Sequence, residues 1–154
     1  MDMVKVLTFA MAAGLAAGAD FSIQVGSPVA VTAANAQKVK SSVMAVRTQD
    51  CADPAKARFT GTAVRMKGSN RETSALGFLE GSTPGSFAVL GGWAPSEGAW
   101  LAVITGDCMG SKASALIPVN GQGSYVREAS RFFNHAPTDA EIEIVMKTVM
   151  GGLR

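Results

Sequence analysis

The chain has little of what most enzyme and metal sites are built from. It carries one histidine, His135, and two cysteines, Cys51 and Cys108. General bases and metal ligands are most often histidine, and this one stands in Phe132-Phe133-Asn134-His135-Ala136-Pro137 with no G-x-S-x-G elbow to accompany it. An arrangement with Asp139 and Ser130 therefore lacks a nucleophile context, and the sequence reads as a non-enzyme without cofactor or metal. Charge of one sign is lacking too. Fourteen basic and twelve acidic residues are mixed along the chain for a net +2, which excludes the electrostatic footprint of a nucleic-acid or anionic-membrane binder. After the N-terminal segment, no apolar run approaches the roughly 18 residues of a membrane span.

What is present points to export. Lys5 precedes an apolar run from Val6 to Ala17 and the small-x-small site Ala17-Gly18-Ala19, the order of a secretory signal peptide. Ala34-Asn35-Ala36 is a second such site, so residues 1–36 read as signal peptide and leader, cleaved after Ala19 or Ala36. Either cut is expected to leave the same domain, residues 37–136, followed by a helical segment at 137–154. In an oxidising compartment an isolated cysteine pair is a disulfide, and closing so long a loop stabilises by roughly 4 kcal/mol in the chain-entropy model.

Seventeen glycines and few aromatics suit short strands and tight turns. Strands are expected at Ser42–Thr48, Ala57–Met66, Arg71–Glu80, Ser86–Leu90, Ala99–Thr105 and Lys112–Val119, with Ser124–Arg127 a possible seventh. Pro84 and Gly85 mark the clearest turn, and Pro118 implies that its strand is an edge or ends there. Ala99–Thr105 is apolar on both faces, Trp100, Ala102 and Ile104 on one and Leu101 and Val103 on the other, so it must be covered twice. The fold class is mainly β, an immunoglobulin-like antiparallel β-sandwich of about seven strands with one C-terminal α-helix. That helix begins at a T-x-x-E capping box, Thr138 to Glu141. Ile142, Val145, Met146 and Val149 form its apolar face, Gly151 and Gly152 stop it, and it is expected to pack on the outer face of the central strand.

Pro84-Gly85-Ser86-Phe87 followed by Glu97-Gly98-Ala99-Trp100-Leu101-Ala102-Val103 resembles exported immunoglobulin-like or prealbumin-like sandwiches, including the FixH/YtkA-like modules of bacterial envelopes. The resemblance implies that Phe87 and Trp100 are inner-face residues of adjacent antiparallel strands. Some relatives are linked to copper handling, yet no matching ligand set is present. Met44, Met66, Met109, Met146 and Met150 are scattered, which fits core filling better than a Cu(I) site. Trp93, in a Gly/Pro loop, is a binding anchor if exposed or a lid over the core if not. Arg127 and Arg131 serve the same surface or merely solvate it. The leading expectation is an extracytoplasmic module, periplasmic or extracellular, that binds another envelope or secreted protein or acts structurally. A small-molecule or copper-handling protein is the alternative.

Overall fold

The computed structural model describes residues 20–27, 42–91 and 98–150. The signal region through Ala19, the Ala34-Asn35-Ala36 site, Trp93 and the Gly151-Gly152 stop lie outside the described residues. Among the described residues nine strands precede one α-helix: β1 (Ser22–Gly26), β2 (Ser42–Gln49), β3 (Arg58–Lys67), β4 (Asn70–Ala75), β5 (Gly77–Glu80), β6 (Ser86–Leu90), β7 (Trp100–Cys108), β8 (Ser111–Val119), β9 (Arg131–Phe133) and α1 (Asp139–Thr148). They form two sheets, ordered β1-β2-β6-β5 and β4-β3-β7-β8-β9, and every pairing is antiparallel. Taken in chain order, β1 to β8 occupy the places of strands A, B, C, C′, D, E, F and G in the immunoglobulin arrangement, with ABED facing C′CFG. β9 extends the second sheet.

Four sequence expectations change. The strand β1 lies inside the segment assigned to the leader, and it pairs with β2 from Ser22↔Gln49 to Gly26↔Ala45. Its alternation buries Phe21, Ile23 and Val25 in the inter-sheet core, so the sandwich begins before residue 37. Cuts after Ala19 and after Ala36 therefore leave different domains. Arg71–Glu80 is two strands in different sheets, because the chain crosses at Leu76, whose N–H donates to the Gly61 carbonyl at 3.0 Å. Ser124–Arg127 makes only a bridge from Tyr125 to Val119 before a 3-10 turn at Arg127–Ala129. Phe87 and Trp100 sit on β6 and β7, in opposite sheets rather than adjacent strands.

Pro118 is placed by its hydrogen bonding. The strand β8 is internal where β9 pairs Ser114 to Leu116, but at Pro118 that partner has ended and its carbonyl accepts the Val126 N–H at 2.8 Å instead. A missing donor is tolerated there because no ladder bond is lost. Gly85 takes φ +81°, and a side chain on it would meet Thr48 and Pro54 within 3 Å. The Pro84-Gly85 turn thus packs against the end of β2.

Both faces of β7 are covered. Ala102, Ile104 and Cys108 join the inter-sheet core, while Leu101 and Val103 meet Val64, Leu116 and the helix residues Val145 and Met146. Thr138 Oγ1 accepts the Glu141 N–H at 3.1 Å and Glu141 Oε1 accepts the Thr138 N–H at 2.9 Å, which completes the capping box. An ion pair from Arg71 to Glu143 at 2.6 Å ties α1 to β4, though an exposed pair of this kind adds little. The apolar face carries the docking. Met146→Ala is expected to lower unfolding free energy by about 2 kcal/mol or more, whereas Ile144→Ala, on the solvent side at 59% exposure, changes it by less than about 0.5 kcal/mol. Urea melts of the two variants check the contrast, and equal losses would mean the helix does not dock through this face.

Candidate functional site

Arg47 and Arg127 come together although they lie far apart in the chain. They line a cleft of about 250 Å³ with Gln24, Ala45 and the end of β1. The alternation of β2 turns Met44 and Val46 into the core and leaves Arg47, with its ladder partner Gln24, on the opposite face. Arg47 Nε donates to Gln24 Oε1 at 2.8 Å, which orients the guanidinium and leaves its outer edge available. Arg127 is exposed, on the 3-10 turn that follows β8. No acidic side chain is among the described residues that line the cleft. A guanidinium fork matches a carboxylate or phosphate in the plane, so an anionic group is the ligand this arrangement is suited to hold.

Arg131 is not at that cleft. It stands on β9 opposite Leu116, with its guanidinium near the carbonyls of Ala129 and Ser130 at 3.4 Å. Sequence reading missed Arg47 and Gln24 because nothing local distinguishes an outward-facing arginine in a strand that is later found beside a distant turn.

His135 has a structural task. Its Nε2 lies 2.8 Å from Glu141 Oε2, and its ring is 5.1 Å from that of Phe133. The Thr138 backbone N–H and, next, His135 hold the Glu141 carboxyl below its ordinary range. The Ser130 hydroxyl donates to the Val126 carbonyl at 2.9 Å, so Ser130 is not paired with His135. Among the described residues no group of three His, Cys, Asp or Glu side chains is placed to hold a metal ion. The methionines are apart: Met44 between the sheets, Met146 under the helix, Met109 exposed at the β7–β8 turn.

A second feature missed in the sequence closes one end of the sandwich. Arg65 lies with its guanidinium carbon 4.6 Å from the centre of the Trp100 ring and pairs with Glu72 at 2.5 Å. Cation–π contact and ion pair together cover the buried tryptophan at the start of β7. At the other end Cys51 and Cys108 are joined, 5.9 Å apart at Cα. They follow β2 and end β7, the B and F strands that immunoglobulin domains also bridge, so the bond ties one sheet to the other. The adjoining turn uses Met109 at φ 53° and Gly110 at φ 97°. Asp107 Oδ1 accepts the Gly110 N–H at 2.9 Å, and Lys112, then that N–H, hold the Asp107 carboxyl below its usual range. No family model matches the chain, and no curated protein or solved structure matches it either.

Proposed function

We propose that this chain is an exported β-sandwich module whose task is to bind another envelope or secreted protein through the cleft of Arg47 and Arg127. The observation that carries the reading is two arginines facing one cleft with no acidic side chain among its described lining residues. A carboxylate entering the cleft would accept paired N–H bonds from a guanidinium. The cleft lies along β1, the last strand of its sheet among the described residues, so an extended acidic segment of a partner would run beside that strand. The signal-peptide-like order of the N-terminal residues and the Cys51–Cys108 disulfide both accord with an extracytoplasmic site of action.

The test places a photo-cross-linking residue at the exposed position Glu128, next to Arg127, in the protein expressed in its host. One discrete adduct with an exported protein is expected, and Arg47→Glu with Arg127→Glu is expected to lower its yield about tenfold or more, the effect of at least 1.4 kcal/mol. An adduct that survives both charge reversals, or none at all, overturns the reading.

A further inference from the structure

We infer that the peptide bond between Ala19 and Asp20 is the processing site of this protein, and that Ala34-Asn35-Ala36 is not cut. The inference rests on the export reading above and goes on to name the bond. Both sites satisfy the small-x-small rule, so local sequence does not distinguish them. The fold does. Everything from Phe21 to Val25 that points inward is core: Phe21, Ile23 and Val25 are 5%, 4% and 6% exposed.

The rest of the domain is shaped to receive that strand. At Gly106 in β7 an added Cβ would lie 3.1 Å from the Phe21 ring and 3.3 Å from the Ile23 side chain, so the opposing sheet keeps its backbone bare where these residues rest. Asn134 Nδ2 donates to the Phe21 carbonyl at 2.8 Å. That bond holds the chain at the second residue after the proposed cut. Asp20 itself is exposed beside a cleft of about 200 Å³ lined by Ser111, Lys112 and Asn134. Cleavage at Ala19 thus leaves every one of these contacts in place, whereas cleavage at Ala36 separates β1 from β2 in the covalent chain.

The chemistry is hydrolysis by a leader peptidase. Water adds across the amide, its hydroxyl to the Ala19 carbonyl carbon and a proton to the Asp20 nitrogen, and at neutral pH the new carboxyl ionises and the new amine becomes an ammonium. The experiment is to express the full chain in a bacterial host and read the N-terminus and intact mass of the exported protein. A chain starting at Asp20 is expected. Ala19→Leu is expected to stop processing, and Ala36→Leu to leave it unchanged. A chain starting at Gln37 overturns the inference and leaves export standing. Recovery of the unprocessed chain overturns both.

Discussion

A chain that begins at Gln37 is expected to show no cooperative thermal transition, while one that begins at Asp20 melts in a single step. The shorter chain loses Phe21, Ile23 and Val25, all buried between the sheets. Burying a large apolar side chain is worth roughly 1.5–3 kcal/mol, so three together approach the whole stability of a domain, about 5–15 kcal/mol. The loss is larger than the transfer sum, because Phe59 and Gly106 are left facing a void that the sheet cannot close. With β1 gone, β2 becomes the sheet edge and its unpaired backbone groups invite association with other copies. Circular dichroism and light scattering distinguish the outcomes, and a Gln37 chain melting within a few degrees of the longer one would mean that β1 is dispensable. Ile23→Ala offers a milder probe, expected to cost about 2–4 kcal/mol.

The signal for β1 was present in the sequence. Phe21-Ser22-Ile23-Gln24-Val25-Gly26 alternates as strictly as any strand in the protein, but it lies between two small-x-small sites and reads equally well as leader. Elements that depend on local rules were legible: the capping box of α1, the left-handed Gly85 turn, the two-faced burial of β7 and the pairing of Cys51 with Cys108. Those features need only neighbours in sequence or a count of residues. The sheet to which each strand belongs was not legible. That Arg71–Glu80 divides at Leu76 between two sheets, and that Phe87 and Trp100 sit in opposite sheets, both follow from the whole topology. For the same reason the cleft was not legible. The sequence offers Arg127 only for the surface of Trp93, and Arg47 becomes meaningful only when β1 brings Gln24 across from it.

Loss of the disulfide is the second large effect expected. Cys51 and Cys108 are 57 residues apart in sequence, and the chain-entropy model assigns a loop of that length about 4 kcal/mol. Replacing both cysteines with alanine is expected to lower the melting temperature by about 10–20 °C, given a few degrees per kcal/mol for a domain of this size. Two contributions must be separated, because Cys108 is also a core residue at 6% exposure and its sulfur packs with the inter-sheet cluster. Reduction of the wild-type protein removes the bond but keeps both sulfurs, so it isolates the loop term. The wild type under reductant is expected to melt slightly above the double-alanine variant and far below the oxidised protein. The urea slope carries independent information: if the bond acts by restricting the unfolded chain, reduction exposes more surface on unfolding and steepens the dependence. A fall in melting temperature without a steeper slope would instead place the effect in the native state, in the bond's closure of the end between β2 and β7. Two free thiols in the denatured, unreduced protein would sink the assignment outright, since neither effect can then arise.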